Sequence, residues 1–276
     1  MKTYNLKKIN DCSKLLGKTP ERGQYNTIIR EDSKFYIGGE CIGVYINLPK
    51  KILKPLREAA LSTKYVETYR ANKALPTKSS VFGALPRVAL RNDFCRFSNK
   101  TIEETVNRNK LMSFQSVLCE IYKEHLPELF EKDIQYVREN INDDYRLVDT
   151  PYTTVNINVN HAIKHHRDSG NIKGSYSNVL ILKENCVGGE LVLPEYGIAL
   201  EQADGALCIF KGQEEIHGVM PLKPIGENFY RASIVYYTMA QLKHCYPYKD
   251  EVARLNLKKR ERAVKRANNI NPKSKS

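Results

Sequence analysis

Five residues in this chain have types and an order that could do metal chemistry. They are His166 and Asp168 in His166-Arg167-Asp168, His217 forty-nine positions after that aspartate, and Arg231 and Ser233 in Arg231-Ala232-Ser233. Two imidazoles and one carboxylate can cap one face of an octahedral iron(II) and leave the other three positions open to further molecules. An arginine beyond them can hold a distant carboxylate through its two-pronged guanidinium. A His-x-Asp triplet alone is a weak signal in a chain with six His and ten Asp, and His161 and His165 crowd it. Its setting carries the weight: His166 follows a strand-like run, His217 follows another, and Arg231-x-Ser233 opens a third. Isolated histidines such as His125 and His244 are given no role.

Residues this far apart need a scaffold that gathers them. From Tyr152 the apolar period is two, with Val155, Ile157 and Val159 alternating with Asn156, Asn158 and Asn160, which predicts a strand with one buried face. The asparagine face suits either the lining of a polar pocket or an ordinary solvent-facing row. Four further strand-like runs follow at 179–182, 190–193, 206–210 and 232–237, punctuated by Gly188-Gly189, Pro194 to Gly197, Asp204-Gly205 and Gly212. Many short strands at regular spacing predict a jelly-roll-like sandwich.

Upstream, residues 40–48 form an apolar run that predicts a strand ended by Pro49. Leu53, Leu56, Ala60 and Leu61 recur at helical steps, with Pro55 in the first turn. Residues 74–80 have the composition of a loop. Thr101 to Glu104 fits a capping box with Thr101 as N-cap, and a helical apolar pattern runs on to Tyr122. Pro127 either interrupts that helix or starts a second one reaching about Ile141, before a turn at Asn142-Asp143-Asp144. These helices are expected to buttress one side of the β-structure. Residues 81–97 set Arg87, Arg91, Arg96 and the pair Asn92-Asp93 among apolar side chains, which composition alone would make an edge strand with a charged face.

At 276 residues with 41% hydrophobic content, the chain is long enough for one large domain or two small ones with a real core. Forty-four Lys and Arg against 31 Asp and Glu leave a net charge of +13, which favours polyanionic partners such as nucleic acid unless it serves solubility alone. Neither a signal-peptide core nor an apolar run of membrane-spanning length is present, so an intracellular, soluble protein without membrane contact is expected, with a monomer favoured. Seven scattered cysteines, an odd number with no Cys-x-x-Cys pair, argue against a disulfide framework and a structural zinc site, and predict reduced thiols. The stretch 249–276 holds ten basic and three acidic residues, compatible with a short basic helix and a disordered end.

The ordered set His166, Asp168, His217, Arg231 and Ser233 resembles the iron(II)/2-oxoglutarate dioxygenases of the double-stranded β-helix fold. Gly188-Gly189-Glu190-Leu191 and Asp204-Gly205-Ala206-Leu207 resemble turns found between the two histidine ligands in many members. Together with the segment from Pro86 to Arg96, the core looks like the TET/J-binding-protein family in its short viral or protist form, over roughly residues 80 to 240. Animal TET enzymes carry a cysteine-rich zinc domain and the J-binding protein a separate DNA-binding domain; neither is evident here.

The resemblance implies an α+β fold whose double-stranded β-helix (jelly-roll/cupin-like) core spans 148–243, supported by residues 1–147 and followed by a basic tail at 244–276. It implies Fe(II) held by His166, Asp168 and His217, 2-oxoglutarate held by Arg231 and Ser233, and O2 as the other cosubstrate. Its implied activity is hydroxylation of the 5-methyl group of a flipped 5-methylcytosine or thymine in DNA. Asn92, Asp93 and Asn171 match positions that reach the base, and an amide at 171 permits either pyrimidine because it can turn its oxygen or its NH2 outward. A prolyl or lysyl hydroxylase would share every metal and cosubstrate residue, and a non-catalytic cupin-like binding module would need none of them.

Overall fold

The computed structural model describes residues 1–68, 77–88 and 94–270. Two sheets face each other. The larger runs from edge to edge through Lys2–Asn5, Ser33–Ile37, Glu40–Asn47, Ala206–Phe210, Ser177–Glu184, Tyr230–Tyr237, Thr154–Val159, Thr77–Leu85 and Val66–Thr68, with Arg96–Phe97 paired on Thr77–Leu85. The smaller runs through Thr27–Ile29, Ile198–Leu200, Leu191–Leu193, His217–Val219 and Ile163–His166. Lys2–Asn5 with Ser33–Ile37 and Thr27–Ile29 with Ile198–Leu200 pair in parallel, and the other neighbours are antiparallel. This is the double-stranded β-helix of an α+β protein, and strands from both sides of position 148 share each sheet.

Among the described residues six α-helices accompany the sheets: α1 (Lys54–Ser62), α2 (Asn99–Glu103), α3 (Thr105–Ser113), α4 (Gln115–His125), α5 (Pro127–Asn140) and α6 (Tyr248–Ile270). Pro55 and Pro127 occupy first turns, where the missing N–H costs nothing and the fixed φ favours helix. Alternation along the strands decides which side chains meet them. Val155, Ile157, Leu180, Leu182, Leu207, Ile209, Ala232, Ile234 and Tyr236 point to one face of the larger sheet and pack with Leu56, Leu111, Leu118, Phe130 and Ile134 of the helices. The opposite face, through Ile181, Cys208 and Phe210, meets Leu191, Leu193, Ile198, Leu200 and Val219 of the smaller sheet. Arg231 and Ser233 fall on this inner face, out of phase with Ala232 and Ile234. Each buried aliphatic side chain in these two layers contributes about 1.5–3 kcal/mol relative to exposure.

Several local expectations shift. Ser98, not Thr101, caps α2: its hydroxyl accepts from the Thr101 N–H and donates to Val81 O, while Glu104 turns to Lys100 and Asn107. Residues 77–80 belong to a strand where a loop is expected, because Lys78 and Ser79 pair with both neighbours in the sheet. The expectation of reduced thiols throughout is corrected at one pair, since Cys95 and Cys245 form a disulfide across 150 positions. No local spacing could reveal it; the chain after the last strand folds back onto residues 94–97. The basic helix is also longer than expected, at 23 residues. No helix among the described residues is long and apolar enough to cross a membrane.

Between α4 and α5, the Asp133 carboxylate lies buried and accepts from the Tyr122 hydroxyl at 2.8 Å. Burial pushes its pKa up to about 6, against the pull of that hydrogen bond. Between about 3.9 in the unfolded chain and 6 in the fold, the native state holds more protons, so stability falls as pH rises through this window. Asp133→Asn keeps an oxygen that accepts from Tyr122. It is expected to stabilise the protein at pH 7.5, by on the order of 2–3 kcal/mol at most, and to lose that advantage near pH 4. Urea unfolding at the two pH values checks this; an equal gain at both would remove ionisation as the cause.

Candidate metal centre and carboxylate pocket

His166 ends the strand Ile163–His166 and His217 opens the strand His217–Val219, and the two residues are direct partners in the antiparallel register. That register brings their ring centroids to 4.3 Å. Asp168 follows the edge strand by two residues, and its N–H donates to Gly212 O at 2.8 Å, which turns the carboxylate back toward the imidazoles. Asp168 Oδ1 lies 3.5 Å from His166 Nε2 and 3.8 Å from His217 Nε2. One donor atom from each of the three residues falls within 4.8 Å of the others, the arrangement of a three-ligand cap.

The surroundings prepare each donor. His166 Nδ1 donates to Lys164 O and His217 Nδ1 to Glu215 O, both at 2.9 Å. A carbonyl only accepts, so Nδ1 carries the proton and the Nε2 lone pair faces the cluster. Burial pushes the His217 imidazole down to about 4, with Asp168 pulling the other way, so the ring is neutral near pH 7. For Asp168 burial favours the neutral acid, while the Ser177 hydroxyl that donates to Oδ2 favours the carboxylate. Phe210 packs edge-on against the His217 ring at 5.0 Å and closes one side of the site. His165, the residue before His166, bonds Gln24 Oε1 through Nε2 at 2.6 Å. His161 is fully buried.

A chain of hydrogen bonds fixes the second carboxylate oxygen. Asn171 Nδ2 donates to Ser177 Oγ at 2.7 Å, and Ser177 Oγ donates to Asp168 Oδ2 at 3.0 Å. Oδ1 is thereby left as the oxygen that faces the imidazoles. The same chain orients the Asn171 amide: turning its oxygen to Ser177 would set two acceptors together, because the Ser177 proton is committed to Asp168. Asn92 and Asp93 lie outside the described residues.

Gly212 allows this packing. A Cβ built there would overlap Asp168 Oδ2 and stand 3.1 Å from its Cγ and 3.2 Å from Ser177 Oγ. Gly212→Ala is therefore expected to swing the carboxylate away and weaken iron(II) binding about 10- to 100-fold, the range for changes that reorient a ligand. Calorimetric titration with iron(II) under argon measures it, and unchanged affinity would show that the carboxylate is not held by this contact.

Arg231 lies on the inner face of Tyr230–Tyr237 and is 1% exposed. Its backbone N–H donates to Asn160 Oδ1 and its carbonyl accepts from the Asn160 N–H, both at 2.8 Å. Asn160 does this from a left-handed conformation, φ 55°, which asparagine tolerates better than most residues. Gly189, at φ 77°, passes so close that an added Cβ would stand 2.9 Å from Arg231 Cδ. Of the guanidinium nitrogens, Nη2 reaches Gln202 Oε1 at 3.3 Å, while Nε and Nη1 have no partner although buried. Burial lowers the pKa to about 10, which still leaves a cation at neutral pH. A buried cation with two unpaired N–H groups is costly unless an anion meets it, so the pocket fits a carboxylate of the kind 2-oxoglutarate carries. Ser233 lies two residues along the same face, directly opposite Asn158. Asn158 is itself buried, so the asparagine row lines the space between the sheets and is not an ordinary solvent face.

The five residues of the sequence motif thus fall on the inner faces and rim of one sandwich. Asn160, Ser177, Gln202 and Gly212 join them without a sequence signal of their own; Asn160 is distinguishable only as the last of the asparagine row.

A model of the Tet/JBP family, the oxygenase domain of the 2OGFeDO superfamily, matches residues 89–240. Among solved structures, the chain is similar to NgTET1 in complex with 5mC DNA, with 18% identity, 79% of this chain and 80% of that one covered, and a TM-score of 0.54. It is also similar to a 2OG-Fe(II) oxygenase-family oxidoreductase from Burkholderia pseudomallei, at 14% identity, 70% and 84% coverage and a TM-score of 0.42. A viral collagen prolyl hydroxylase from Paramecium Bursaria Chlorella virus-1 follows at 11%, 71% and 94%, and 0.36. No curated protein matches the sequence. The likeness to NgTET1 speaks for the fold alone; the family match spans more than half of the chain and takes in both histidines, the aspartate and the buried arginine, so the chain belongs to the Tet/JBP family of iron(II)- and 2-oxoglutarate-dependent dioxygenases.

Proposed function

We propose that this dioxygenase hydroxylates the 5-methyl group of a pyrimidine in DNA, 5-methylcytosine or thymine, with His166, Asp168 and His217 as the iron ligands and Arg231 and Ser233 as the anchor for 2-oxoglutarate. The observation that carries the substrate class is the family match over 89–240, supported by the net charge of +13. The structure of NgTET1 with 5mC DNA illustrates such a substrate in a protein of similar fold. Iron(II), 2-oxoglutarate and dioxygen are the reactants of this superfamily, and together they convert a C–H bond to C–OH while 2-oxoglutarate leaves as succinate and carbon dioxide.

The chain's own residues do the positioning. The two imidazoles present Nε2, and Asp168 presents Oδ1 because Ser177 occupies Oδ2. Arg231 offers the C5 carboxylate a buried guanidinium whose Nε and Nη1 are left without protein partners. Phe210 keeps water from one flank of His217. A methyl group stacked in a duplex cannot approach the metal cap, so the nucleotide is flipped out at a cost of a few kcal/mol. Asn92 and Asp93 are proposed as base contacts on the resemblance alone. With its nitrogen turned to Ser177, Asn171 has its acceptor oxygen on the other side, the group that matches the N4 amino donor of cytosine.

The test is nucleoside mass spectrometry after incubating methylated duplex DNA with the protein, iron(II), 2-oxoglutarate and ascorbate. Hydroxymethyl pyrimidine is the expected product. Hydroxylation of proline- or lysine-rich peptides with none on DNA would replace this substrate class with a protein one.

A further inference from the structure

The C-terminal helix α6 changes character along its length. Its base is fastened to the body: Glu251 is fully buried, accepts from Arg87 Nε at 3.0 Å and from the Cys95 N–H at 3.1 Å, and is joined by Arg254 at 3.3 Å. Cys245, just before the helix, is bonded to Cys95, and Arg87 also stacks over Tyr246 at 5.0 Å. Val252 and Leu255 are half-buried, and from Lys259 to Ala267 every residue is exposed.

At 3.6 residues per turn, Glu251, Val252 and Leu255 fall within an arc of about 100°. Lys258, Lys259, Arg262, Lys265 and Arg266 fall within an arc of about 120° centred close to the same direction. Leu257, Arg260 and Val264 lie on the opposite side. The face that docks on the body near its base therefore becomes a row of five cations once the helix passes beyond the body. Glu261, the one acid past Glu251 among the described helix residues, lies off that row.

We infer that this row is a clamp for the phosphate backbone of duplex DNA. The inference rests on the proposed DNA substrate and adds where the duplex is held. The row spans about 12 Å, over which one strand presents three or four phosphates. The helix is fastened to Arg87 and Cys95, which flank Asn92 and Asp93 in the sequence. Charge complementarity selects a polyanion, and the two exposed apolar residues Leu257 and Val264 sit away from the cations, too few for the wide apolar face of a membrane-surface helix. The contact carries no base preference, since it reads only phosphates.

The full chain in which Lys258, Lys259, Arg262, Lys265 and Arg266 are all changed to Gln tests the clamp, with Arg260→Gln on the opposite face as the control. Fluorescence anisotropy on a short 5-methylcytosine duplex is read across a salt series. The five-residue variant is expected to bind about 100-fold more weakly at low salt and to flatten the slope of log affinity against log salt by about 3, at roughly 0.9 per phosphate contact. The control should follow wild type, and DNA-independent succinate release should be unchanged in both. A slope change under about 1, an equal effect from Arg260→Gln, or tighter wild-type binding to phosphatidylserine vesicles than to duplex overturns the clamp. Because binding is measured, a protein that loses duplex affinity as expected yet never oxidises its methyl groups would refute the substrate reading and keep the clamp. Oxidation with an unchanged slope would do the reverse.

Discussion

His217→Ala is expected to abolish iron-dependent turnover and to weaken iron(II) binding by more than about 100-fold, beyond the cost of disturbing a ligand's support. Two donors cannot define one face of an octahedron, and the imidazole lost is the one held neutral by burial and seated against Phe210. The fold should survive, because the ring sits at the inner rim of the smaller sheet and not in the layer beneath the helices. His165→Ala is the matched control: it removes an adjacent buried imidazole that bonds Gln24, so it should cost stability and leave iron affinity near wild type. Iron titration, succinate release and thermal melting of the pair separate the two roles. Full turnover by His217→Ala at ordinary iron concentration would move the metal elsewhere.

Arg231→Lys should raise the KM for 2-oxoglutarate by roughly 10- to 100-fold and leave kcat at saturation much less affected. A lysine offers a point charge where the guanidinium offers a planar fork. Binding should also be visible without turnover. In wild type, 2-oxoglutarate held by the buried guanidinium would supply its missing partners and should raise the melting temperature in the concentration-dependent way of any ligand that binds only the native state. The variant should need far more ligand for the same rise. An unchanged KM and an equal thermal response would place the carboxylate anchor on another residue.

Legibility in the sequence followed the range of the interactions. His166 and Asp168 are neighbours on one strand end, and period-two patterns fix which way Arg231 and Ser233 face, so both were accessible from local order. The direct pairing of His217 with His166 depends on strand register, which spacing alone leaves open. Ser177 and Gly212 lie nine and forty-four positions from Asp168, and nothing in their local pattern distinguishes a serine that orients a carboxylate from one in a turn. The misplaced cap at Thr101 has the same origin: Ser98 and Thr101 are both competent caps, and the tertiary contact of Ser98 with Val81 decides between them. The parallel strands near the N-terminus were hidden because short polar runs such as Lys2–Asn5 become strands only beside a partner.

The place of Tyr230–Tyr237 in the larger sheet has a kinetic consequence. Among the described residues it is the last strand of that sheet in sequence, yet it lies between Ser177–Glu184 and Thr154–Val159, with every other strand of that sheet outside it. Until residue 237 has left the ribosome, the sheet exists as two separate halves, each with an unpaired inner edge open to other chains. Folding must then wait for contacts between residues distant in sequence, the circumstance that slows β-rich domains and lengthens their exposure to aggregation. Arg231 and Ser233 ride on this closing strand, so the carboxylate pocket and the complete sheet come into being in the same event.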